Sequence, residues 1–121
     1  MNKKNRIAIL TGGGDCPGIN AVIRAVAKKA ILEHGMEVIG VEDGYEGLIR
    51  DRHRKLHYDD VSGILTLGGT ILGASKISNP YRYAVKMGGR IVFRDVSKRA
   101  IRNARALGID ALVCIGGDGT L

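Results

Sequence analysis

The sequence predicts an open α/β fold with three layers, a mainly parallel sheet covered by helices on both faces. Three observations predict it. Arg6-Ile-Ala-Ile-Leu-Thr11 is an apolar run that breaks into Gly12-Gly-Gly-Asp-Cys-Pro-Gly18. Ala111-Leu-Val-Cys-Ile115 breaks in the same way into Gly116-Gly-Asp-Gly-Thr120. Such strand-to-glycine turns, each with one carboxylate, belong where an open α/β sheet holds a phosphorylated ligand. Between them, the first forty or so residues alternate strand, helix and strand, which calls for parallel neighbours and a right-handed crossover.

In order along the chain, residues 7–11 form a buried strand. Pro17 in the turn and the spacing of Ile19, Val22, Ile23, Val26 and Ala30 give a helix with one apolar face, ending near His34-Gly35. Residues 37–41 are the second strand. Residues 43–56 are polar and glycine-punctuated, a loop with room for a turn of helix. Residues 61–65 are short and apolar, and residues 68–75 read as a loop with a strand fragment. Residues 81–93 alternate around Gly88-Gly89, with Tyr83, Val85 and Met87 on one arm and Ile91 and Phe93 on the other, a hairpin signal. Residues 95–107 are amphipathic through Val96, Ala100, Ile101, Ala104 and Leu107, with Gly108 as cap. Residues 111–115 are the last strand. With no internal repeat and no linker, residues 1–121 read as one unit. The final turn is followed by Leu121 alone, without the helix that would complete its anion site. The sequence therefore reads as the front part of a longer protein, with a bare sheet edge prone to aggregation or domain exchange.

Nineteen basic against twelve acidic residues give a net charge of +7 and a pI near 9.7, favouring an anionic partner. The charges are scattered, and four tyrosines, one phenylalanine and no tryptophan offer no stacking platform, so nucleic acid is disfavoured. Phosphorylated small molecules fit better. Cys16 and Cys114 are lone thiols far apart in sequence, as in a reducing compartment, with Cys16 read as a small structural residue. The polar start has no apolar stretch long enough for a signal peptide, and no run approaches a membrane span, so the cytoplasm is expected.

Gly13-x4-Gly18 has the glycine spacing of a Walker A loop, but Ile19-Asn20 stands where lysine and a hydroxyl are needed. Gly12-x-Gly14 begins a dinucleotide fingerprint, yet Pro17 occupies the place of its third glycine. Glu42 and Asp43, ending the second strand as a ribose-binding acid would, keep that alternative open. What survives is physical: bare amides before a helix N-terminus approach polyphosphate closely because no Cβ intervenes. In the last turn Asp118 suits Mg²⁺, which takes one or two carboxylates and fills its shell with water and phosphate oxygens. Gly117 and Gly119 admit the phosphates, and Thr120 can donate to them. The plainer reading is an N-capping acid in an ordinary loop, which two such loops on one sheet weaken.

Together, Leu10-Thr-Gly-Gly-Gly-Asp-Cys-Pro-Gly-Ile-Asn-Ala-Val-Ile-Arg24, Asp43-Gly-Tyr-Glu-Gly-Leu48, Gly68-Gly-Thr-Ile-Leu-Gly73 and Ile115-Gly-Gly-Asp-Gly-Thr120 resemble the 6-phosphofructokinase family. The resemblance implies that family's sheet, cut after a central strand. It also implies a glycolytic kinase that moves the γ-phosphoryl group of MgATP to the 1-hydroxyl of fructose 6-phosphate. By motif, Gly14 would meet the nucleotide phosphates and Tyr45 would lie near the adenine. Gly117, Asp118, Gly119 and Thr120 would form the ATP site, with Asp118 on magnesium. Lys76 stands where many members carry a catalytic arginine reaching both substrates' phosphates; it keeps the charge and loses the bidentate fork. Pyrophosphate-using relatives commonly place Asp where this chain has Gly119, so ATP is favoured, although the Gly-Gly-Gly-Asp-Cys-Pro-Gly opening resembles pyrophosphate users too.

Arg24 and Lys28 match a stretch that binds an allosteric nucleotide in small bacterial members. Tyr58-Asp-Asp60 replaces an arginine-bearing stretch of that site, so a solvated helix face is the better reading. The hairpin around Gly88-Gly89 is an insertion relative to the short bacterial enzymes and has no assigned role. The family's catalytic aspartate lies in a Thr-Ile-Asp-Asn-Asp segment that this sequence does not contain. Residues 1–121 alone are therefore expected to be inactive, and relatives imply a homo-oligomer, commonly a tetramer, at full length. Lipid and NAD kinases share Gly-Gly-Asp-Gly-Thr but lack the opening motif. A truncated relative that only binds nucleotide is the remaining alternative.

Overall fold

A computed structural model describes residues 5–12, 18–64, 70–73, 80 and 83–115. The elements are β1 (Arg6–Thr11), α1 (Ile19–His34), β2 (Glu37–Val41), α2 (Tyr45–Arg50), β3 (His53–Leu56), α3 (Tyr58–Ser62), β4 (Tyr83–Met87), β5 (Arg90–Arg94), α4 (Ser97–Ala106) and β6 (Ala111–Ile115). One sheet runs β3-β2-β1-β6, with β2, β1 and β6 parallel and β3 antiparallel. The second sheet is the β4–β5 hairpin.

The period of two along each strand assigns its side chains to two cores. Ile7 and Ile9 of β1 and Val38 of β2 pack with Ile19, Ile23, Ala27 and Ala30 of α1 and Val61 of α3. Ala8 and Leu10 of β1 and Ile39 and Val41 of β2 pack on the opposite side with Leu48 and Ile49 of α2 and Ala100 of α4. Two covered faces explain why β1 reads as a continuous apolar run rather than an alternating one. Side chains such as Ile9 and Leu10, which are fully buried, each contribute about 1.5–3 kcal/mol. The expected three-layer, mainly parallel α/β architecture is the observed one.

α1 ends where the glycine signal places its end. Gly35 takes the left-handed conformation (φ 61°) and donates its amide to the Ala30 carbonyl. Two expected core positions face solvent instead: Val22 is 44% and Ile101 52% exposed. The buried stripe of α1 runs through Ile19, Ile23, Ala27 and Ala30, and Val22 is rotated roughly 100° away from it.

Residues 43–56 hold more structure than a loop, namely α2 and the edge strand β3. β3 escapes sequence reading because His53, Arg54 and Lys55 are all exposed and only Leu56 is buried. Basic side chains suit a sheet edge, and β3 is the edge strand beyond β2 among the described residues. Val61 belongs to α3, which starts at a capping box between His57 and Asp60. Of residues 68–75, the described 70–73 form a turn and not a strand fragment. The hairpin is as predicted: Gly88 (φ 56°) and Gly89 (φ 80°) supply the two positive φ angles of a type I′ turn. It meets α2 through Tyr83, whose hydroxyl donates to Glu46 Oε1 at 2.6 Å and accepts from Arg50 Nε at 3.1 Å. These contacts, the Tyr83 hydrogen bond first, hold the Arg50 guanidinium more firmly protonated than usual. Asn103 of α4 donates to the Leu48 carbonyl at 2.6 Å, tying α4 to α2.

At the amino ends of the strands, Arg6 Nε reaches Glu37 Oε2 at 2.5 Å and Lys55 Nζ lies 3.5 Å from Glu37 Oε1. The Arg6 hydrogen bond, above all, lowers the Glu37 carboxyl from its usual 4.5. A lowered carboxylate stabilises the fold above its unfolded pKa, and that contribution is lost as the pH falls through the folded value. Thermal melts should therefore show a shallower loss of Tm between about pH 5 and pH 3 for Glu37→Gln than for wild type.

Candidate functional site

The chain leaves β1 through α1 to reach β2 on one side, while β6 pairs on the other side of β1. α1 covers one face and α4, which leads into β6, covers the other. β1 and β6 therefore flank a topological switch point, the place at which open α/β sheets in general take their ligands. Thr11 and Ile115 are in register, so both strands end at one level. The amide of Gly12 donates to the Ile115 carbonyl at 2.8 Å, a last rung joining the two glycine turns at their roots.

Of the residues nominated by the sequence, Tyr45 is described; Gly14, Lys76, Gly117, Asp118, Gly119 and Thr120, like Cys16, lie outside the described residues. Tyr45 opens α2, and its hydroxyl lies 3.7 Å from Cys114 Sγ, one residue before β6 ends. Tyr45 is half-buried there. The anchors of the other nominees are also described. Gly12 and Ile115 are joined as above, and the Gly73 carbonyl accepts from Thr11 Oγ1 at 2.7 Å. All three roots sit at the carboxyl ends of β1 and β6.

Other nominees behave differently. Asp43, weighed as a ribose-binding acid, adopts a left-handed backbone (φ 57°) and pairs with Arg52 at 3.2 Å. Its amide donates to the Leu72 carbonyl at 2.8 Å, so Asp43 is engaged in holding the 70–73 turn. Arg24 and Lys28 do not form a freely solvated face. Both are half-buried; Arg24 Nε is buried with no hydrogen-bond partner among the described residues, and Lys28 Nζ sits 5.4 Å over the Tyr58 ring. No group of three metal-ligating side chains occurs among the described residues. A cavity of about 570 Å³ between α2, α4 and the hairpin is walled by Ile49, Arg50, Lys86 and Arg99, with none of the nominated residues in its lining.

Sequence reading missed Thr11, Asn20 and Thr70, which converge on the same turn. Their signal is slight: a hydroxyl closing an apolar strand, and an amide at the second position of an apolar helix.

The phosphofructokinase family pattern matches residues 6–121. The chain is 56% identical over its whole length to the ATP-dependent 6-phosphofructokinase 2 of Clostridium perfringens, covering 33% of that protein. It is 47% identical, over 96% of its length, to the pyrophosphate–fructose 6-phosphate 1-phosphotransferase of Amycolatopsis methanolica, covering 31% of it. It thus spans about a third of the curated relatives it matches. The crystal structure of Pichia pastoris phosphofructokinase in the T-state superposes with a TM-score of 0.79 at 39% identity, over 99% of this chain and 12% of that one. Strand order, switch point and family match agree, and the chain belongs to the phosphofructokinase family.

Proposed function

We propose that residues 1–121 form the nucleotide-binding side of an ATP-dependent 6-phosphofructokinase acting in the cytoplasm. The observation that carries this reading is the switch point between β1 and β6, where the roots of two glycine turns are joined by the Gly12–Ile115 hydrogen bond. In this reading the amides around Gly14 and the Gly117–Gly119 turn cradle the phosphates, Thr120 donates to them, and Tyr45 flanks the adenine. Lys76 neutralises charge on the transferred phosphoryl group. Asp118, a single carboxylate among glycines, suits Mg²⁺, which would offset phosphate charge when bound. The γ-phosphoryl group passes to the 1-hydroxyl of fructose 6-phosphate, ADP leaves, and the hydroxyl proton goes to an acid–base residue outside this sequence. A homo-oligomeric assembly, allosteric control and the sugar site belong to the whole enzyme in the same reading.

A second reading, pyrophosphate as donor, is favoured by the Gly-Gly-Gly-Asp-Cys-Pro-Gly opening and by the Amycolatopsis relative. Gly119 weighs for ATP, since a side chain and a negative charge there would oppose the α-phosphate. A coupled assay on the complete gene product should show turnover with MgATP and fructose 6-phosphate, and little with pyrophosphate. Gly119→Asp should lower kcat/KM for ATP roughly 100-fold, about 2.7 kcal/mol. Equal turnover with both donors would overturn the assignment of ATP, and turnover by residues 1–121 alone would overturn the division of labour.

A further inference from the structure

Thr11 and Asn20 are the two polar side chains buried among the described residues, at 0% and 2% exposure. They flank the first glycine turn, Thr11 ending β1 and Asn20 opening α1, and both reach the 70–73 turn. Thr11 Oγ1 lies 2.7 Å from the Gly73 carbonyl and 2.9 Å from Thr70 Oγ1. A hydroxyl has one proton to give. Thr11 gives it to the Gly73 carbonyl, so Thr70 donates to Thr11, and Thr70 in turn accepts the Leu72 amide at 3.2 Å. Asn20 Oδ1 accepts the Ile71 amide at 2.9 Å. The Ile71 amide and the Gly73 carbonyl are thereby held directly from the two flanks of the glycine turn, and the Leu72 amide through Thr70.

Buried polar side chains cost stability unless paired, and apolar ones of the same shape would fill a core without that cost. What the polar set adds is a fixed position for one loop relative to the other. We propose that Thr11, Asn20 and Thr70 are positioning residues, a clamp that fixes the 70–73 turn against the carboxyl end of β1 and the first turn of α1. The chain on either side of the first glycine turn and the chain leaving Gly73 then start from one fixed frame. The catalytic consequence rests on the function proposed above: the nucleotide's phosphates and the cation meeting the transferred group would be aligned together.

Thr70 is only half-buried, so removing its hydroxyl spares the core. Amide hydrogen exchange on the complete gene product is the first test. Thr70→Val should raise exchange in residues 12–18 as well as in residues 70–79 by about tenfold, with β2 unchanged, while Thr70→Ser stays near wild type. The kinetic counterpart is a kcat lowered roughly 10–100-fold with KM for ATP within about threefold, restored by Thr70→Ser. Should Thr70→Val not fold, Thr70→Ala is read in its place. Exchange raised in residues 70–79 alone, raised equally in β2, or raised as much by Thr70→Ser would overturn the clamp. Loss of the kinase reading would show separately, as a wild-type protein without turnover, and the exchange result would still decide the clamp.

Discussion

Replacing Asp118 by asparagine in the complete gene product is expected to lower kcat/KM for MgATP by about 10³, with Tm unchanged. The size follows from losing a preorganised partner of the transferred charge, an effect of roughly 10²–10³ or more where one such group is deleted. Asparagine is chosen because it caps a helix as well as aspartate does. If Asp118 served only as a helix cap, the variant would retain activity. A metal ligand tolerates the change poorly, since the amide oxygen lacks the charge that holds Mg²⁺. Steady-state kinetics with a magnesium titration checks this, and activity near wild type at all magnesium concentrations would return Asp118 to the capping role.

Gly47→Ala is expected to destabilise the fold by at least about 3 kcal/mol. A Cβ at this position would strike the Glu42 carbonyl and come within 2.7 Å of both the Arg52 carbonyl and Val41 Cγ1. Backbone oxygens cannot rotate out of the way as a side-chain end can. The Gly47 carbonyl also accepts the Arg52 amide at 2.8 Å, which closes α2 onto β3. If Tyr45 flanks the nucleotide as proposed, the same substitution in α2 should weaken nucleotide binding before the protein unfolds. Gly63→Ala is the control: a Cβ there meets open space and the backbone φ is −105°, so stability should change little. Urea unfolding of both variants measures the contrast, and similar midpoints would overturn it.

The parallel core was legible because its strands and helices carry complete local signals. β1 and β2 are apolar on both faces, α1 has its stripe and its glycine stop, and the β4–β5 turn needs two positive φ angles that Gly88-Gly89 provide. β3 was not legible, since an edge strand of exposed His53, Arg54 and Lys55 has no alternation to read. Val22 and Ile101 show a related limit: an apolar residue at helical spacing does not say which neighbours cover it. At the proposed site, composition singles out the glycine turns, and the resemblance of its motif singles out Tyr45. Thr11, Asn20 and Thr70 stayed silent because their role lies in partners about fifty to sixty residues away. Such pairings are tertiary, and no local pattern encodes them.

The strand order has a consequence for synthesis. β1 is made first but receives β6, its neighbour on one side, last; the Arg6 amide meets the Asp110 carboxylate across 104 residues. At about 5–20 residues per second, a ribosome leaves Ile7, Ala8, Ile9 and Leu10 with an open hydrogen-bonding side for roughly 5–20 s. An uncharged, β-prone run exposed that long is a target for illicit strand pairing and for chaperones that bind extended apolar segments. The nascent chain, more than the finished protein, is where this topology is most vulnerable.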